Sequence, residues 1–132
     1  MSKFIDTSAF YALLDADDAN HEQASRVWVA DVDSGEVLIT TNYVVVETCA
    51  VAHRRLGVPV LRRFMEDILP AVSVQWVDER VHDQGTSAVL MSTRRGPNIV
   101  DCVSFALIRA LDVTQVFTFD QHFRDQGFEC IP

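Results

Sequence analysis

The chain has 132 residues, 48% hydrophobic and 23% charged, the balance of an ordinary globular protein with one real core, so a single domain over 1–132 is expected. Its formal charge of −8 argues against nonspecific nucleic-acid binding through a broad basic face. No apolar run approaches the roughly 20 residues that a membrane span needs, and the start, Met1-Ser2-Lys3-Phe4-Ile5-Asp6, lacks the pattern of a signal peptide, so a cytoplasmic address is expected.

The first apolar run, 3–6, reads as a strand that ends on Asp6. Helical patterns follow at 8–14 and 20–32, then a strand at 37–40. A long helix is expected over 42–56, carrying Glu47 among valines and ending at Gly57. Another helix at 59–69 stops at Pro70, and a strand at 73–77 leads to a helix at 79–94. Gly96-Pro97-Asn98 separates that helix from the next, at 99–111, with Asn98 as N-cap. Along 99–111, Val103, Ala106, Leu107, Ala110 and Leu111 share one face, which should be core. The chain closes with a strand at 115–118, a short helical turn at 121–125 and a last strand at 128–131. Alternation of strands and helices implies a parallel sheet covered on both faces. The three cysteines, Cys49, Cys102 and Cys130, are odd in number and widely spaced, so they read as reduced thiols.

Four acids interrupt or end apolar runs: Asp6, Glu47, Asp101 and Asp120. A buried carboxylate without a partner is costly. Four of them point to a shared positive charge, and oxygen ligands suit a hard divalent cation. Asp6 and Asp120 fall at the carboxyl ends of strands, where open parallel sheets bind ligands. Glu47 and Asp101 lie early in helices that follow turns. Each acid also has a local reading. Asp6 and Asp120 suit N-caps, Asp101 completes a capping box with Asn98, and Glu47 would be a buried acid paired with an arginine. Ten of the eleven basic residues are arginine, six of them in the pairs Arg54-Arg55, Arg62-Arg63 and Arg94-Arg95. Guanidinium groups suit phosphate forks.

At these positions the chain resembles the PIN-domain family, in particular the VapC-type toxins of bacterial toxin–antitoxin pairs. The resemblance rests on Phe4-Ile5-Asp6-Thr7-Ser8, the apolar helix bearing Glu47, Asn98-Ile99-Val100-Asp101-Cys102 and Thr118-Phe119-Asp120-Gln121-His122-Phe123, with His21 fitting as well. It implies a three-layer α/β/α sandwich with a central parallel sheet. It also implies a Mg²⁺- or Mn²⁺-dependent ribonuclease acting on RNA, a homodimer, and an antitoxin partner that blocks the acidic site. On that basis Asp6, Asp101 and Asp120 are the expected metal ligands, and Glu47 the group that positions the attacking water. Thr7, Ser8, Arg94 and Arg95 would meet the substrate. Some family members carry a further acid where this chain has His122. That histidine is expected to touch a phosphate or the leaving oxygen, and one firmly held ion is expected rather than two.

Competing readings differ in specific residues. A receiver-like phosphoacceptor domain wants an adjacent acidic pair after the first strand and a lysine after a late one. Here Asp6 is followed by Thr7, and Lys3 is the only lysine. A noncatalytic module of the same fold would use the acids only to dock a basic partner. A DNA-directed nuclease would use the same site.

Overall fold

The computed structural model describes residues 1–132. Five strands form one all-parallel sheet: β1 (Ser2–Ile5), β2 (Val37–Thr41), β3 (Ser73–Gln75), β4 (Gln115–Phe117) and β5 (Glu129–Ile131). Their order is β3-β2-β1-β4-β5. Helices α1 (Thr7–Leu14), α2 (His21–Ser34), α3 (Asn42–Leu56), α4 (Val58–Arg63), α5 (Glu79–Leu90), α6 (Ile99–Ala110) and α7 (Gln121–Asp125) fill the connections. The expected α/β class and parallel sheet are borne out.

Central strands of a parallel sheet are covered on both faces, so they are apolar throughout. Phe4, Ile5, Val116 and Phe117 are fully buried. Lys3 is buried too, because its Nζ lies 2.7 Å from Asp31 Oδ1 on α2. The fully buried Phe10 and Phe64 pack edge to face beside the sheet, 5.1 Å between ring centroids.

Two helices depart from the periodicity. The pattern at 59–69 is a helix only to Arg63. It then widens into a π turn at Phe64–Ile68 and tightens into a 3₁₀ turn at Leu69–Ala71, where Pro70 has no N–H to extend the ladder. The pattern at 79–94 stops at Leu90. Leu90 and Met91 are 83% and 87% exposed, so no core rewards another turn. Arg94 and Arg95 therefore sit on a loop, residues 91–98, that joins α5 to α6. These two helices approach closely at Gly85, where an added Cβ would come within 2.3 Å of Val103 Cγ2.

The strand order places the site. The order of strand addition reverses at β1: β2 and β3 lie on one side, β4 and β5 on the other. In such sheets the crevice opens beyond the carboxyl ends at that reversal. Ile5 pairs with Phe117, so Asp6 and Thr118 emerge side by side although 112 residues separate them.

Candidate metal centre

Asp6 follows the last residue of β1 and caps α1. Its Oδ2 accepts from Ser8 N (3.3 Å), Ser8 Oγ (2.8 Å) and Thr118 Oγ1 (3.0 Å). Asp101 is buried at the third position of α6. Its Oδ2 accepts from Asn98 N (3.0 Å), while Asn98 Oδ1 accepts from Asp101 N (2.9 Å). Asp120 caps α7, Oδ1 accepting from His122 N (2.9 Å), and its own N–H donates to Thr118 Oγ1 (3.0 Å). Glu47 is one turn into α3, with Oε2 accepting from Asn98 Nδ2 at 3.4 Å.

The local readings of Asp6, Asp101 and Asp120 are therefore correct, and they do not compete with a shared site. Capping fixes each rotamer through one carboxylate oxygen. The opposite oxygen of each, and Glu47 Oε1, accepts no hydrogen bond from the chain. Glu47 departs from its expected setting. It is half-buried at the rim rather than enclosed by valines, since its neighbour Val46 is 67% exposed, and no arginine pairs with it.

Electrostatics confirm that the acids feel one another. Burial raises the Asp6 carboxyl to about 6; Ser8 and Thr118 hydrogen bonds pull it down and the Asp120 charge pushes it up. Burial raises Asp101 to about 7, opposed by the Asn98 backbone bond and reinforced by the charges of Asp6, Asp120 and Glu47. Neither lysine nor arginine lies within ion-pair distance of any of the four. Carboxylates brought together without a lysine or arginine, each with an oxygen to spare, fit a hard divalent ion. Ligand atoms of Asp101, Asp120 and His122 all lie within 4.8 Å of one another.

His122 sits beside these acids. Its Nε2 is 3.0 Å from Arg95 O, and Nδ1 is 3.1 Å from Asp120 Oδ1 but off line for a hydrogen bond. Burial pushes the imidazole down, but the Arg95 carbonyl and the charges of Asp120 and Asp101 outweigh it and hold the group above its usual value.

The remaining expected residues divide. Ser8 is consumed inside the chain. Its Oγ donates to Asp6, accepts from Phe119 N (2.9 Å) and meets Thr118 Oγ1 (3.1 Å), so it braces β1 against β4 rather than facing a phosphate. Thr7 Oγ1 is closed off from solvent and unpartnered. Arg94 and Arg95 are exposed on the loop over the site. Arg54 and Arg55 lie in the last turn of α3, about 10 Å along the axis from Glu47, and Arg55 stacks over Tyr11. Arg63 donates to the last carbonyls of α1, Leu13 O and Leu14 O, and His21 Nδ1 meets Ala12 O at 2.7 Å. Two positioning residues were not singled out from sequence as such: Asn98, which ties Glu47 to Asp101, and Thr118, which ties Asp6 to Asp120. Their signal was a polar residue three or two positions before an acid.

Comparison with known proteins gives a consistent result. The PIN domain family pattern matches residues 3–129. The 23S rRNA-specific endonuclease VapC20 of Mycobacterium tuberculosis (strain ATCC 25618 / H37Rv) is 30% identical over 126 residues, covering 95% of this chain and 94% of the relative. The crystal structure of Mycobacterium tuberculosis VapC20, a Sarcin-Ricin loop cleaving toxin, superposes with a TM-score of 0.87 at 31% identity, over 99% of this chain and 100% of that one. FitAcB from Neisseria gonorrhoeae, at 16% identity and a TM-score of 0.68 over 98% and 96%, shares the fold.

Proposed function

The chain belongs to the PIN-domain family, and from that premise we propose that it is a divalent-metal-dependent endoribonuclease, the toxin of a toxin–antitoxin pair. The observation that carries the reading is the convergence of four carboxylates with no lysine or arginine among them, three of them fixed at helix N-termini.

Asp6, Asp101 and Asp120 would hold the ion, Mg²⁺ or Mn²⁺, through the oxygens that capping leaves free. A bound ion supplies positive charge for the phosphate and a lower pKa for water at the site. Glu47 Oε1, free of hydrogen bonds, takes the proton of the attacking water as its oxygen reaches phosphorus. The P–O bond to the departing nucleotide breaks, and that oxygen leaves with a proton from solvent. Asn98 orients Glu47 relative to Asp101, and Thr118 holds Asp6 and Asp120 in register. Arg94 and Arg95, on the loop over the site, steer the RNA backbone into it. The same acidic crevice would accept an arginine of an antitoxin in place of the ion. We place the toxin, as a homodimer, in the cytosol; no helix is long and apolar enough to cross a membrane.

The test is cleavage of total RNA and of a stem-loop RNA with and without Mg²⁺, beside Asp6→Asn and Asp101→Asn. Cleavage should need the ion and vanish in both variants. Persistence in EDTA, or products with 2′,3′-cyclic ends, would overturn hydrolysis by water at this site. Expression should arrest growth, and co-expression of the neighbouring small gene should relieve it. An inert wild type with a tight basic partner would favour a noncatalytic docking module.

A further inference from the structure

His122 stands among the acids in a way that neither capping nor substrate contact explains. A backbone carbonyl can only accept, so the 3.0 Å contact between Nε2 and Arg95 O places a proton on Nε2. That fixes the tautomer. With a divalent ion bound, His122 would be neutral and carry its lone pair on Nδ1. This atom is sealed from solvent and makes no hydrogen bond, although Asp120 Oδ1 lies 3.1 Å away. A cation must stand between that atom and the carboxylate oxygens, a proton in the metal-free protein or a metal ion in its place. A ring nitrogen of His122 and carboxylate oxygens of Asp101 and Asp120 lie within 4.8 Å of one another, and Nδ1 is 3.1 Å from Asp120 Oδ1, a spacing that one ion satisfies. A ring nitrogen held by a backbone carbonyl while the other faces the metal is the usual arrangement of a ligating histidine.

We infer that His122 Nδ1 is a direct ligand of the catalytic ion, so that the site is a mixed nitrogen–oxygen site selecting Mn²⁺ over Mg²⁺. The inference rests on the metal-dependent reading above and replaces the expected phosphate contact of His122. Oxygen-only sets suit Mg²⁺, which demands oxygen octahedra and dehydrates reluctantly. Imidazole favours first-row transition ions over Mg²⁺, and Mn²⁺ accepts a ring nitrogen while still suiting a carboxylate-rich set. Arg95 gains a second role, since its carbonyl orients the ligand: the α5–α6 loop positions the metal centre through backbone and offers a guanidinium to RNA from the same residue. The other three histidines, His21, His53 and His82, lie outside the acid cluster.

The test needs no RNA. Mn²⁺ is added to the full chain and read by electron spin echo spectroscopy, with Mn²⁺ and Mg²⁺ affinities measured by calorimetry. Wild type should show a directly bound nitrogen whose coupling changes on ¹⁵N-histidine labelling, and should bind Mn²⁺ at least about tenfold tighter than Mg²⁺. His122→Ala should lose the nitrogen signal and weaken Mn²⁺ at least about tenfold. His122→Asp, an all-oxygen set, should lose the signal and narrow the preference for Mn²⁺. Its metal-free thermal unfolding is recorded alongside, so that loss of fold is not read as loss of a ligand. Bound Mn²⁺ with no nitrogen coupling, or coupling that survives His122→Ala, overturns the assignment while leaving the ribonuclease reading intact. Failure of wild type to bind either ion overturns both. Nitrogen-coupled Mn²⁺ in a protein that does not cut RNA supports this assignment and sinks the ribonuclease.

Discussion

Replacing Asp101 by asparagine should stabilise the metal-free protein while abolishing its activity. Asp101 ionises near 3.8 in an unfolded chain and at about 7 in the folded one, because burial and the charges of Asp6, Asp120 and Glu47 oppose the carboxylate. Between those values the native state holds more protons than the unfolded state, so its stability falls as pH rises. By pH 8 the charged form has cost the fold about 4 kcal/mol. Side-chain relaxation and water entry discount this to ~2 kcal/mol. Asparagine avoids that cost. Its Oδ1 still accepts from Asn98 N, so the capping box keeps half its bonds, and its amide NH₂ faces carboxylates. Metal-free Asp101→Asn should therefore melt about 6 °C above wild type at pH 8. The difference should shrink as pH falls from 8 to 5, because wild type regains its proton. Added Mn²⁺ or Mg²⁺ should raise the wild-type Tm at pH 8 and leave the variant unmoved, since deprotonated ligands couple binding to pH. Differential scanning calorimetry in EDTA across pH 5–8 measures all three quantities. An equal or lower Tm for Asp101→Asn at pH 8, or a wild type that gains nothing on acidification, would refute the claim that these carboxylates strain the metal-free fold.

Glu47→Gln should lower kcat by about 10²–10⁴ while keeping the metal-induced Tm rise, because Glu47 acts on the water rather than the fold; single-turnover cleavage and calorimetry check the two halves. Thr118→Val removes the hydroxyl shared by Asp6 Oδ2 and Asp120 N, so metal affinity should fall about 10–100-fold and stability by ~2 kcal/mol, read by titration and urea unfolding. Lys3→Met leaves Asp31 buried and unpaired and should cost about 3–5 kcal/mol, most of it recovered in the double variant Lys3→Met/Asp31→Leu. A double variant no more stable than the single one would refute the ion-pair account.

The four acids were legible because each sits where short-range rules are strong: after an apolar strand, or within one turn of a helix start. Asp6, Asp101 and Asp120 are recognisable as caps from their neighbours alone, since capping depends on residues two or three apart. Glu47 was misjudged because burial depends on which face of α3 meets the sheet. The run 44–46 is apolar in sequence, yet Val44 is buried and Val46 is exposed.

The sequence by itself determined the alternation of strands and helices, the ends of most of them, and the chemistry of an oxygen-rich acidic set, because these follow from periodicity and local turn chemistry. Tertiary structure alone decided that the acids form one site. β4 docks against β1 instead of extending the β1-β2-β3 side, and that long-range choice brings residue 6 to residue 118. The same packing spends the Ser8 hydroxyl between two strands, makes the cap Asn98 a bridge to Glu47 as well, and brings His122 Nδ1 to 3.1 Å from Asp120 Oδ1. No spacing encodes such contacts, because each joins side chains whose rotamers are set by neighbours from other parts of the chain.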